Sequence, residues 1–204
     1  MELYIIRHSE TVWNKERRLQ GRSDIELTEY GRELARITGE ALKNIDFEAI
    51  YSSPLERAYE TANLIKGDKD IPIIKENRII EISFGEYEGH VDKELVEAGT
   101  SFVDFFDHPE KYIPGKNGES LQELRKRAED FICSLKDMYG ETDKKIMIVG
   151  HGAMNKALMM VVKDSHDYSQ FWSGGLQRNC NVIIIEYKNE MFRIIDEGRI
   201  YYER

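Results

Sequence analysis

The sequence predicts a three-layer α/β/α fold with a mostly parallel central sheet, flanking helices and a small cap insertion. Three observations carry this prediction. Short apolar runs of strand length alternate with longer helical patterns from one end of the chain to the other. The leading runs stop abruptly on polar turns, as strands do when a buried sheet delivers side chains to its carboxyl edge. One stretch, 89–118, breaks the alternation: it is acidic and aromatic, and is interrupted by Pro109, Pro114 and four glycines including its ends. It reads as an excursion from the sheet that covers the site, or else as a surface helix with two loops.

The elements follow in order. The first strand is expected over Glu2 to Arg7, with Leu3, Tyr4, Ile5 and Ile6 as its apolar body. A polar loop through Leu19-Gln20-Gly21-Arg22-Ser23-Asp24 comes next. Thr28 then caps an amphipathic stretch with Leu34, Ile37 and Leu42 on one side. The second strand, Ala49 to Ser52, leads into Ser53 as N-cap, Pro54 as first helical residue and Glu56 as capping-box partner. A third short strand spans Ile71 to Ile74. Ser120 and Glu123 form a second capping box, opening a helix with Leu121, Leu124, Ala128, Phe131 and Leu135 on its apolar face. Lys145 to Val149 is the next strand, and Ala153 to Val162 the helix after it. Val182 to Tyr187 and Phe192 to Asp196 close the chain as an edge hairpin turning at Lys188-Asn189-Glu190. With no internal repeat or linker, residues 1–204 read as a single domain.

Composition narrows the function classes. The 204 residues are 41% hydrophobic and 33% charged, the balance of an ordinary globular protein with room for one substantial core. A formal net charge of −9 argues against nucleic acid and acidic membrane surfaces as partners. An anionic ligand must therefore be drawn by a local arginine cluster. No apolar run is long enough to span a bilayer, and no secretory signal is visible at the N-terminus. Cys133 and Cys180 stand in no metal or redox spacing and read as ordinary buried thiols in a reducing cytoplasm.

Four blocks carry chemistry. Arg7 and His8 end the first strand, and in open parallel sheets that edge is where ligands bind. Together they offer an anion clamp and a titratable nucleophile. Arg57 falls in the first turn of a helix, where free backbone N–H groups also favour an anion. His151 ends another strand between Gly150 and Gly152, which permit close backbone approach. Glu81 lies in an apolar frame of Ile79, Ile80, Ile82 and Phe84, a surround expected to raise its pKa toward neutrality and suit it to proton transfer. Glu86 and Glu88 are nearby rivals for that role. His90, His108 and His166 fit no such block and are expected on surfaces or in the cap.

In order and spacing these blocks resemble the histidine phosphatase superfamily, the phosphoglycerate mutase-like group, over nearly the whole chain. The resemblance implies that His8 is the phosphorylated nucleophile and that His151 binds the phosphoryl group, protonated or at least donating a hydrogen bond to it. It implies further that Asn14, Gln20 and Gly21 contact substrate, with Gly152 beside them. Arg7 and Arg57 would grip phosphoryl oxygens in forked, charge-assisted geometry. Two departures stand out. The family usually has glycine after the nucleophile, whereas this chain has Ser9, which would crowd the phosphate pocket or add a hydrogen bond to it. Mutases of the family carry a longer insertion with an arginine pair, whereas segment 89–118 has Lys93, Lys111 and Lys116 and no arginine.

The expected activity is a metal-independent phosphomonoesterase with no cofactor, acting on a small phosphorylated metabolite through phospho-His8. Cofactor-dependent phosphoglycerate mutase is one alternative, and a weakly catalytic phosphoester-binding regulatory protein is the other. The sequence does not give the oligomeric state.

Overall fold

The computed structural model describes residues 1–203. Six strands form one sheet: β1 (Glu2–Arg7), β2 (Phe47–Ser52), β3 (Ile73–Lys75), β4 (Lys145–Gly150), β5 (Val182–Lys188) and β6 (Met191–Arg199). Their order is β3-β2-β4-β1-β5-β6. The first four are mutually parallel, while β5 runs antiparallel to both β1 and β6. The register matters most for function. β1 and β4 pair Arg7 with Gly150, and β2 and β4 pair Ser52 with Val149. Residues 8, 53 and 151 therefore leave the sheet side by side, and His8 N–H donates to Gly150 O at 2.9 Å.

Strand alternation divides the core in two. Leu3, Ile5, Tyr51, Ile146, Ile148 and Ile185 face α6 (Leu121–Tyr139) and α7 (Gly152–Val162). Tyr4, Ile6, Ile50, Met147, Val149 and Ile184 face α2 (Glu29–Ala41) and α3 (Glu56–Lys66). Period-2 strands between helices on both faces must present apolar side chains on both, which explains the continuous runs. Helix α6 begins on the Ser120–Glu123 capping box and buries Leu121, Leu124, Ala128, Phe131, Ile132 and Leu135. Truncating Phe131, fully enclosed there, would cost about 3–5 kcal/mol.

The start of α3 differs from expectation. Leu55 occupies the cap position with no side-chain hydrogen bond, and the helix opens at Glu56, not Pro54. The Ser53 hydroxyl, expected to cap it, is turned to His151 instead. The short edge strand starts at Ile73, two residues later than expected, because only 73–75 find partners on β2. The five-residue helix α1 (Val12–Glu16), capped by Thr11 and Asn14, was not expected in that polar stretch. Asn189 and Glu190 both take positive φ, turning the β5–β6 hairpin as the sequence suggests. Cys180 is buried, but Cys133 is exposed on the outer face of α6.

Segment 89–118 holds α4 (Asp92–Glu97) and α5 (Val103–Asp107). Its aromatic residues build a small core of their own: Phe102, Phe105 and Tyr112 are buried, with Phe84 edge-on to both phenylalanines. Trp172, from the loop before β5, packs against Phe105 and Phe106, and its indole N–H donates to Phe105 O at 2.6 Å.

Candidate active site

A cavity of about 300 Å³ opens at the carboxyl ends of β1 and β4. Arg7, His8, Asn14, Gln20, Gly21, Arg57, Glu81 and Gly152 all line it. His151 stands directly behind His8, their ring centroids 5.2 Å apart. The structure thus gathers every predicted site residue, from segments spread over most of the chain. His90, His108 and His166 are exposed and do not line the cavity.

The His8 ring is fixed by its own backbone. Nδ1 lies 2.7 Å from Ser9 O, and because a carbonyl only accepts, Nδ1 carries the proton. Nε2 is left with the lone pair. Burial lowers the His8 pKa well below the usual histidine value, and the cations of Arg57 and Arg7 add to the effect. The imidazole is therefore neutral at pH 7, the form a nucleophile needs.

Ser9 does not enter the pocket. Its side chain is buried, and Oγ donates to Gly31 O at 2.6 Å, while its N–H donates to Thr61 Oγ1. Both expected consequences of Ser9, crowding and an added phosphate contact, are overturned by this orientation. Helix α2 can come so near only because residue 31 is glycine: a Cβ there would lie 2.2 Å from Glu10 O.

The two arginines are held by carbonyls. Arg57 is fully buried, and its Nη1 and Nη2 donate to Ser23 O at 2.8 Å and Gly21 O at 2.7 Å. Gly21 has φ +50°, and any side chain there would collide with Glu88, whose carboxylate accepts from Arg22 N–H and Ser23 N–H. Arg7 Nη1 donates to Gln177 O at 2.6 Å. Burial lowers both arginine pKa values, that of Arg57 to about 10, against a raising effect from Glu81. Both remain charged at pH 7.

Glu81 departs from its predicted setting. Oε1 accepts from Ile82 N–H and Met154 N–H at 3.0 Å each, and Oε2 accepts from Ala153 N–H at 3.2 Å. The carboxylate thus sits on the N-terminus of α7, close to Arg7 and Arg57, and not in an apolar surround. The apolar neighbours misled because Ile79, Ile82 and Phe84 are buried in the core, while Ile80 is only half-buried.

His151 caps the same helix with its backbone, and its Nε2 lies 2.7 Å from Ser53 Oγ. Its pKa is also pushed well below the usual value, by burial first and then by Arg57, His8 and Arg7. In the free protein it is neutral, so of the two expected states it takes the hydrogen-bonding one. Ser53 Oγ already accepts from Leu55 N–H at 3.3 Å, so its proton is free to go to Nε2. With Ser53 donating to Nε2, Nδ1–H is the donor, the tautomer that an oxyanion ligand selects.

Among the described residues, Arg7 Nε, Arg57 Nε and His151 Nδ1 are buried with no hydrogen-bond partner. Buried donors are seldom left unpaired without a function. Three of them close to a neutral imidazole have the chemistry to hold a compact oxyanion.

A family model described as the histidine phosphatase superfamily (branch 1) matches residues 3–197. The chain belongs to the histidine phosphatase superfamily. It is 32% identical to phosphoserine phosphatase 1 of Hydrogenobacter thermophilus over 176 residues, covering 86% of this chain and 82% of that one. Phosphoglycerate mutase-like protein 4 of Arabidopsis thaliana is 32% identical over 161 residues, 77% of this chain and 69% of the relative. Among solved structures, Bacillus stearothermophilus YhfR superposes with a TM-score of 0.90 at 36% identity, covering 98% and 97% of the two chains.

Among the lining residues of this histidine phosphatase, Phe105 and Phe106 come from the aromatic segment expected to cover the site, whereas Trp13, Trp172 and Leu176 were not anticipated. Trp13, Phe84, Phe105, Phe106, Trp172 and Leu176 form an apolar wall at the mouth. Arg17, Arg18 and Asp92 add charge to the lining. For Trp172 and Leu176 the hint lay in Phe171-Trp172-Ser173-Gly174-Gly175-Leu176, where large apolar residues sit in a glycine-rich loop.

Proposed function

We propose that the protein is a phosphoric monoester hydrolase working through a phosphohistidine on His8, with small phosphorylated metabolites as substrates. The enzyme class follows from the family and its phosphatase members. The observation that carries the mechanism is the trio of unpaired donors, Arg7 Nε, Arg57 Nε and His151 Nδ1, on residues that share the site with His8 and its free Nε2.

His8 Nε2 attacks phosphorus as the ester P–O bond breaks. Arg7, Arg57 and His151 take the charge on the non-bridging oxygens, where preorganised donors act most strongly. Glu81 passes a proton, brought into the site by the monoanionic phosphomonoester, to the departing alkoxide oxygen. It then takes a proton from water, whose oxygen attacks phosphorus and breaks the P–N bond, releasing inorganic phosphate and restoring His8. The Nδ1–H of His8 stays on Ser9 O throughout, supporting the positive charge the ring gains. With guanidinium groups supplying the cationic field, no metal is required by this chemistry. The apolar wall suits a leaving group with some hydrophobic surface.

The decisive assay is p-nitrophenyl phosphate hydrolysis from acidic to neutral pH with a chelator present, comparing wild type with His8→Ala. Loss of turnover in the variant, with an acid-labile phosphoenzyme trapped only in wild type, is the expected result. No turnover by folded wild type would refute the reading. Relatives include a mutase-like protein, so 2- and 3-phosphoglycerate interconversion is the parallel assay, with none expected.

A further inference from the structure

Glu81 lies in a stretch with no regular structure, between a 3-10 turn at Asn77–Ile79 and another at Gly85–Tyr87. Neither a sheet ladder nor a helix holds its backbone. Two side chains do so instead, chiefly Arg127 from α6. Arg127 Nη1 donates to Arg78 O at 2.7 Å and Ile80 O at 2.5 Å, and Nη2 donates to Glu81 O at 3.0 Å. Its other edge pairs with Glu119, Nε to Oε1 at 2.7 Å and Nη2 to Oε2 at 2.9 Å. Both partners are largely buried, the side chains 16% and 11% exposed. A second guanidinium converges there: Arg22 donates to Glu81 O at 3.1 Å and to Glu119 Oε2 at 3.1 Å.

The guanidinium of Arg127 spends all its bonds on three carbonyls and one carboxylate, and none on the Glu81 side chain. A planar five-donor fork is the group that can do this; an ammonium has three donors and no fixed plane. A 1 Å error in placing a catalytic group costs about 100-fold. We propose that Arg127, locked by Glu119, is a positioning residue that sets the Glu81 carboxyl for proton transfer to the leaving group. This rests on the phosphomonoesterase reading and on Glu81 as the acid within it.

Leaving-group dependence separates this role from general support of the fold. p-Nitrophenolate departs without a proton, whereas the alkoxide of glycerol phosphate does not. Because kcat/KM reports steps up to ester cleavage, it isolates the acid's part. For Arg127→Lys and Glu119→Gln, both checked for native circular dichroism, kcat/KM on glycerol phosphate should fall about 10- to 100-fold. On p-nitrophenyl phosphate it should fall by less than about 3-fold, and Glu81→Gln should show the same skew. Added to Glu81→Gln, Arg127→Lys should cost nothing more on glycerol phosphate. An equal fall on both substrates, or additive losses in the double variant, would overturn the proposal. Wild type inactive on both would refute the phosphatase reading itself, and this inference with it. Arg127→Lys keeps charge and bulk, so it tests the role even where Arg127→Met does not fold.

Discussion

Ser53 Oγ and His151 Nε2 lie 2.7 Å apart, and neither residue has any exposed surface. A hydroxyl donates to a neutral imidazole and accepts from a protonated one, so Ser53 holds the ring in either state. When a phosphoryl group arrives, its charge favours protonation of His151, and the same bond survives with its direction reversed. Ser53→Ala is expected to lower kcat/KM about 10-fold, the worth of one buried hydrogen bond. The ¹⁵N shifts of His151 should move from a single Nδ1–H tautomer to a mixture. Unchanged shifts would refute the assignment.

The pH dependence follows from the two buried histidines. Both have folded-state pKa values depressed well below the usual 6.5, while the unfolded chain restores it. Between the two values the unfolded state binds more protons, so stability falls as pH drops. It is intact above about pH 6.5 and is lost as pH falls through the folded-state values. Thermal unfolding at pH 7 and pH 5 should show a drop in Tm that shrinks in His8→Asn and His151→Asn. In the wild type, the acid limb of kcat/KM should lie below 6.5, since His8 stays neutral well into the acid range.

Ser9→Gly restores the residue usual in the family, yet no gain in rate is expected. The hydroxyl points to Gly31 O and not to the phosphate site. Its loss should destabilise the fold by about 1 kcal/mol, with kcat/KM nearly unchanged. Chemical denaturation beside a rate assay checks both halves. Gly31→Ala should be far more damaging, because the new methyl meets the Glu10 carbonyl.

Trp172→Ala removes one face of the apolar wall and the hydrogen bond that ties α5 to the loop before β5. KM for aryl phosphates should rise several-fold, while inhibition by inorganic phosphate, which touches only the inner pocket, stays constant. A matching rise in the phosphate inhibition constant would show that the wall also shapes the anion site.

The fold and the inner site were legible because each rests on local pattern. Apolar runs marked the strands, Thr28 and the Ser120–Glu123 box marked helix starts, and strand ends marked Arg7, His8 and His151. Ser53 was misread since its sequence context, Ser-Pro-Leu-Glu, is a good capping signal; a tertiary partner outbid the local one. Glu81 was found for an incorrect reason, its apolar neighbours, when the helix N-terminus that holds it comes from residues 153 and 154. Arg127 gave no signal and Trp172 only its place in a glycine-rich loop, because their roles depend on which distant carbonyl or ring the fold places beside them.

The in-register pairing of Arg7 with Gly150 has one more consequence. The first and fourth strands are far apart in sequence, and their carboxyl ends are the floor of the pocket. No fragment lacking either strand can assemble it. During synthesis the site stays open until the second histidine has emerged and its strand has inserted between two that were made long before. A chromogenic phosphate ester therefore doubles as a clock for the completion of folding: product appears only from molecules whose central sheet has closed.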